Sequence, residues 1–211
     1  MKKIILIAVV FSLIATSYFI TKNVTGAGSQ NNSLEELESS LLSAEEVAEK
    51  LKNINPSELK SSASLPFEVT LEVTPRQDGD IEQVFFDIKV QNPQKTMHKI
   101  AITAVLDDKL LQYLDTSHLY FSNIDSVLDS NAPEEYFTLK SSDTNKKSVA
   151  IGRSFLKLNE LNLNEANDSE IKQIILNSKV KVTWIDDKSE LHSEYIAFSE
   201  KDFTMKSNVF Q

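Results

Sequence analysis

From Leu65 onward the hydrophobic period of this chain changes from helical to alternating, and that change limits the fold more than any other feature. Phe67, Val69, Leu71 and Val73 alternate with Glu68, Thr70, Glu72 and Thr74. Successive side chains of a strand point to opposite faces, so this pattern predicts a half-buried strand. Pro75-Arg76-Gln77-Asp78-Gly79-Asp80 is turn chemistry. Val84, Phe86, Ile88 and Val90 then share one face, with Phe85, Asp87, Lys89 and Gln91 on the other, and Asn92-Pro93 ends the strand. A third strand over Lys99 to Leu106 puts Ile100, Ile102, Ala104 and Leu106 on one face, and Val105 implies partial cover on the opposite face.

Further strands are expected at Tyr136 to Lys140, at Ser148 to Leu158 with Gly152 as a bulge, at Val180 to Trp184, and at Leu191 to Phe198. Residues 109–134 lack a period, and the Ser/Asn/Asp-rich stretch 122–132 reads as a loop. Asn167-Asp168-Ser169-Glu170 opens a short helix whose Ile171, Ile174 and Ile175 face inward. About seven short strands with one small helix suit a mainly β fold, an antiparallel immunoglobulin-like β-sandwich over residues 66–200, with Trp184 in its core and 201–211 as a tail. The strand leading into Val90-Gln91-Asn92-Pro93 resembles extracytoplasmic immunoglobulin-like domains of bacterial envelope proteins. That resemblance covers one strand and its exit, and it brings no functional residue with it.

The N-terminal part follows different rules. Lys2-Lys3 precede an apolar run from Ile4 to Ile20, closed by Lys22. At about 1.5 Å per residue the run reaches about 26 Å, the short end for a bilayer span. It reads as a hydrophobic helix within residues 1–27: either a signal peptide cleaved near Thr25-Gly26-Ala27, or a retained membrane anchor with its positive end inside. Both place the rest of the chain outside the cytoplasm. Residues 28–65 read as a linker containing an amphipathic helix over 33–53. Two capping boxes, Ser33-Leu34-Glu35-Glu36 and Ser43-Ala44-Glu45-Glu46, announce helix starts. Leu34, Leu37, Leu41, Ala44, Ala48 and Leu51 form one stripe, and Asn55-Pro56 ends it. The stripe is too short for a juxtamembrane coiled coil, so one helix, or two short ones, packing on the domain or remaining loose is the simpler expectation.

Composition narrows the function. Lys2, Lys3 and Lys22 are the only charges of the leader, so the remainder is even more acidic than the formal net charge of -9. Such a surface repels phosphate backbones, and no basic stripe offsets it, which argues against nucleic acid as a partner. Membrane contact is expected only through residues 4–20, if they are retained. There is no cysteine, so disulfides, thiolate metal sites, a thiol nucleophile and a lipidated cysteine are all excluded. Arg76 and Arg153 are the only arginines, a lysine bias that suggests a bacterial source.

No catalytic motif is visible. His98, His118 and His192 lie on separate segments without the H-x-x-x-H or H-x-H spacing of a zinc site. The pairs Asp107-Asp108 and Asp186-Asp187, and Asp78-Gly79-Asp80, lack calcium-loop spacing and read as turns. The only glycines, Gly26, Gly28, Gly79 and Gly152, are too few and too scattered for a glycine-rich phosphate loop. No serine lies in a G-x-S-x-G elbow, and no S-x-x-K lies near an S-D-N. Phe85, Tyr113, Tyr120 and Phe121 are candidates for a binding patch unless the aperiodic region folds over the sheet and buries them. No catalytic, cofactor-binding or metal residue is therefore assigned, and no cofactor is expected. The reading is a non-enzymatic extracytoplasmic cell-envelope protein whose β-sandwich is a binding or spacer module for an envelope protein or surface ligand. The alternative is a cell-surface hydrolase or metal-dependent enzyme whose site forms only in space.

Overall fold

The computed structural model describes residues 43–142, 147–158 and 169–206, all within one unit spanning Leu37–Gln211. The expected N-terminal hydrophobic helix and the first half of the amphipathic helix lie outside the described residues. Among the described residues no helix is long and apolar enough to cross a membrane.

Among the described residues ten strands form two five-stranded sheets. In chain order they are β1 (Lys60–Ser61), β2 (Glu68–Asp78), β3 (Ile81–Gln91), β4 (His98–Val105), β5 (Leu114–Asp115), β6 (Tyr120–Ser122), β7 (Ser148–Lys157), β8 (Lys179–Ile185), β9 (Leu191–Ala197) and β10 (Phe203–Met205). Sheet A has the order β1-β9-β8-β4-β6, and sheet B the order β10-β2-β3-β7-β5. Neighbours are antiparallel except for β1 on β9 and β10 on β2, which are parallel. Among the described residues three α-helices accompany them: α1 (Ala44–Lys52), α2 (Ile124–Leu128) and α3 (Ser169–Leu176).

The alternation places the core as the sequence predicts. Val69, Leu71, Val73, Val84, Phe86, Ile88 and Val90 of sheet B are at most 1% exposed, and Ile100, Ile102, Ala104, Val180 and Val182 of sheet A are fully buried. All belong to one apolar cluster between the sheets, which gives the fold its sandwich-like character. Each of these side chains other than Ala104 contributes about 1.5–3 kcal/mol on leaving water. Trp184 joins this core edge-to-face with Phe67, ring centroids 5.2 Å apart. Ile171, Ile174 and Ile175 of α3 face the same cluster.

The cover implied by Val105 is α1. Ser43 and Glu46 form its capping box, and Val47, Ala48 and Leu51 pack on the outward residues Ala101, Val105 and Ile185 of sheet A. Lys179 reaches up from β8 and donates to the Leu51 and Lys52 carbonyls, both at 3.1 Å, satisfying orphan acceptors at the helix end.

Several expectations are corrected. Residues 122–132 are not all loop, because Ile124 and Val127 of α2 are buried in the cluster under α1. Tyr136 to Lys140 is not a strand. Pro133 starts a 3-10 turn over Glu134–Phe137, which leaves a single bridge from Leu139 to Met97. Gly152 is not a bulge, since β3 and β7 pair without a register break from Gln83↔Leu156 to Gln91↔Ser148. The glycine makes room instead: a Cβ there would lie 2.3 Å from Cζ of Phe85. Pairing also extends beyond residues 66–200, through β1 and β10, whose two and three residues are too short to show a period. Lys60 meets Glu194 at 2.7 Å to hold β1, and Lys206 meets Glu72 at 2.6 Å behind β10. The Lys206 bond, reinforced by Lys89, holds the Glu72 carboxyl below the usual carboxylate range.

One polar residue repairs the ladder. β6 pairs only with Thr103 to Val105 of β4, so residues 100–102 have no partner strand on that edge. Buried Asn123 takes over: its Oδ1 accepts from Ile102 N at 2.6 Å, and its Nδ2 donates to the Ile100 carbonyl at 3.1 Å. Asn123→Leu keeps the branched shape of the side chain and leaves these groups unpaired. It should cost about 1–3 kcal/mol in a urea melt; an unchanged midpoint would show that other groups satisfy this edge.

Candidate functional site

The chemically richest place among the described residues is the end of sheet A where β8 turns into β9. Asp186 builds that turn. Its Oδ1 accepts from Lys188 N at 2.8 Å and Glu190 N at 3.0 Å, and Asp186 N donates to the Glu190 carbonyl at 3.1 Å. Ser189 takes φ +64, the one left-handed step of the loop. This is the turn chemistry expected of Asp186-Asp187, but it uses only one carboxylate oxygen. Oδ2 lies 3.1 Å from Nε2 of His192. His192 stands opposite Trp184 across the ladder, and the two rings stack at 5.1 Å with 19° between their planes. Glu190 is exposed on the same hairpin, and one ligand atom each from Asp186, Glu190 and His192 lies within 4.8 Å of the others.

A second histidine reaches this end of the sheet by a different device. Between His98 and Ala101 β4 carries one residue more than β8, and Lys99 has φ +50. In a regular strand His98 would share the inward face of Ile100. The extra residue puts it opposite Ile185 on the outward face. There its Nε2 lies 3.1 Å from Asp187 Oδ1, and its Nδ1 lies 3.5 Å from Glu134 Oε1. Both carboxylates are well exposed, at 67% and 63% of their side chains, so this is a surface bridge between two turns. His118 joins neither group; it is exposed and meets Tyr120 edge-on at 5.9 Å.

The other acidic pairs resolve as turns. Asp107 accepts from Lys109 N at 2.9 Å and from Asn177 Nδ2 at 3.0 Å, and Asp108 meets Lys52 at 3.5 Å. They line a shallow cleft together with Lys52 and Lys179, whose positive charges offset them. Gly79, at φ +60, and Asp80 form the two-residue loop joining β2 to β3, with glycine where such a loop needs a positive φ. A further cleft beside α1 is lined by Glu46, Glu49, Lys50, Asn53, Ile54 and Glu58, and a third by Asn92, Pro93, Leu139, Lys140, Ser141 and Lys147. No histidine lines any of the three. Beneath α1, burial pushes the Lys181 ammonium below the ordinary lysine range, and nearby Lys50 adds to the effect.

The aromatic candidates separate. Phe121 is buried in the shared core, Tyr113 packs against that core, and Tyr120 packs against the cluster under α1. Phe85 alone stands on the outward face of sheet B. Its ring lies over Gly152 and carries the Arg76 guanidinium 3.7 Å from its centroid. The Asp186–Glu190–His192 grouping was not legible as a motif. The D-x-x-x-E-x-H spacing becomes meaningful only once a hairpin folds residue 192 back beside residue 184.

No family model matches the chain, and no curated protein does. Among solved structures it is similar to catalytically inactive OgpA from Akkermansia muciniphila, crystallised with an O-glycopeptide (glycodrosocin) substrate, at 17% identity and a TM-score of 0.20. The match covers 72% of this chain and 33% of that one, so the chain spans about a third of its length. At that TM-score the likeness carries no argument about fold or activity.

The hairpin bonds have a consequence in acid. The backbone donors of Glu190 and Lys188, with the His192 bond, lower the Asp186 carboxyl from 3.8 to about 2. A group depressed in the folded state stabilises the fold fully above its unfolded value and loses that contribution as the pH falls through the folded one. Asp186 should therefore remain ionised on acidification from pH 4 until about pH 2. Carboxyl-carbon NMR of the folded protein checks this, and titration near 3.8 would show that the turn bonds do not persist in solution.

Proposed function

We propose that this chain is a non-enzymatic extracytoplasmic protein of a bacterial cell envelope, in which an immunoglobulin-like β-sandwich held outside the membrane binds an envelope partner. The export half of the reading rests on Lys2-Lys3 and the apolar run to Ile20. The immunoglobulin-like half rests on two sheets sharing one core with a buried tryptophan, and on a mainly antiparallel ladder.

The observation that carries the binding half is the contrast between the two outward sheet faces. Sheet A is roofed by α1 and α2. Sheet B presents the Arg76–Phe85 stack beside the exposed small residues Ala150, Gly152 and Ser154. An aromatic with an arginine on a flat floor of small side chains is the composition of an interface anchor, because it offers large contact area at low entropic cost. The chain carries a formal net charge of -9, but Glu72 and Asp87 on this face are paired with Lys89 and Lys206, so the apolar stack rather than charge would anchor a partner.

The alternative, a cell-surface hydrolase or metal-dependent enzyme, draws on the Asp186–Glu190–His192 grouping. That grouping lies on a hairpin and lines none of the three clefts described above, which favours the binding reading.

A photo-crosslinking residue at Ser154 of the full chain, expressed in intact cells, should give a specific adduct with an envelope component. Phe85→Ala should abolish that adduct, and the same probe at Glu49 on α1 should give none. Externally added protease should degrade the domain before lysis. Full protection until lysis would contradict export, and adducts indifferent to Phe85→Ala would contradict the assigned face.

A further inference from the structure

Asp186, Glu190 and His192 have a geometry that neither turn-building nor partner binding uses. A divalent ion held at about 2.0–2.2 Å by a carboxylate oxygen and an imidazole nitrogen, at a tetrahedral angle, needs those donors a little over 3 Å apart. Asp186 Oδ2 and His192 Nε2 are 3.1 Å apart. Both are fixed before any ion arrives. Oδ1 of the same carboxylate is tied to two backbone amides of the hairpin, and the imidazole ring is held flat against Trp184. The stacking sets the ring plane, the role an outer shell plays in metal sites. Glu190 is exposed, with no side-chain partner among the described residues, so it is free to bring an oxygen inward from its place within 4.8 Å of the other two.

We propose that Asp186, Glu190 and His192 form a binding site for a zinc-class divalent cation at the β8–β9 hairpin. One imidazole and two carboxylates suit Zn2+ and its neighbours, whereas calcium takes six to eight oxygen ligands and has no use for the nitrogen. Three protein ligands leave the fourth position to water. The ion takes the place of the proton shared between His192 Nε2 and Asp186 Oδ2, and that proton goes to solvent, so affinity falls in acid. The fold does not depend on the ion, because the hairpin closes through its own backbone bonds and the core carries the sheets. The proposal departs from the expectation that no residue of the chain is a metal ligand, and it is independent of the outward face of sheet B.

The test is isothermal titration of the purified full chain with Zn2+ alone, checked by the His192 ring resonances in NMR. One equivalent should bind saturably and shift His192. His192→Ala and Glu190→Gln should each weaken binding about tenfold or more, as loss of a ligand must exceed the 10–100-fold typical of outer-shell changes or fall at its lower end for an exposed carboxylate. His118→Ala, remote from the hairpin, should leave binding unchanged. Glu190→Gln touches an exposed side chain without a partner, so it keeps the test decisive even if His192→Ala disturbs the Trp184 stack. Absence of saturable binding would overturn the proposal, as would binding indifferent to Glu190→Gln. Loss of binding in His98→Ala with His192 unshifted would also overturn it, by moving the ion to the His98–Asp187 bridge.

Discussion

Val69, Leu71, Phe86 and Ile88 on one sheet and Ile100, Ile102, Val180 and Val182 on the other are almost wholly removed from water, and they form one continuous cluster. With no cysteine in the chain, no covalent cross-link shares the task of holding the sheets together. Everything else is arranged around that contact. A one-residue slip in any of these strands would turn its apolar set toward solvent, so the core fixes register as well as stability. A domain of this size buries enough surface for such a core to suffice.

Once the inward faces are committed, the outward faces are free to differ. That of sheet A is closed by α1, through Val47, Ala48 and Leu51, and this burial extends to Lys181 and Thr183. That of sheet B carries Phe85 under Arg76. The chemistry gathers where strands end, because only there can side chains leave the period of the sheet. The extra residue at Lys99 turns His98 outward, and the hairpin after Ile185 folds His192 back onto Trp184 and beside Asp186.

The long elements were legible in the sequence for a physical reason: eleven-residue strands such as β2 and β3 repeat the period often enough to show it. The face assignments of Val84, Phe86, Ile88 and Val90, and the inward placing of Trp184, followed from that period alone. What could not be read was short or non-local. Two- and three-residue strands have no period, and α2 hides in a stretch rich in Asn, Asp and Ser. The bulge at Lys99 depends on the partner strand. Gly152 looked like a backbone irregularity but answers to a ring on the neighbouring strand. Asn123 looked like a loop residue and stands in for strand hydrogen bonds. The hairpin site is the same case: its three residues are ordinary turn and strand residues until cross-strand pairing brings them together.

The dependence of both sheets on one core has a direct measurement. Native-state hydrogen exchange can follow the amides of Ile88 in β3 and Val182 in β8, central strands of sheets B and A. If the shared cluster makes the sheets one cooperative unit, both amides exchange only through global unfolding. Their free energies of exchange then agree with each other and converge together in low denaturant. If Val182 exchanged through a lower-energy opening while Ile88 stayed protected, sheet A would be coming off an independently stable sheet B. The core between them would then not be what holds the domain together.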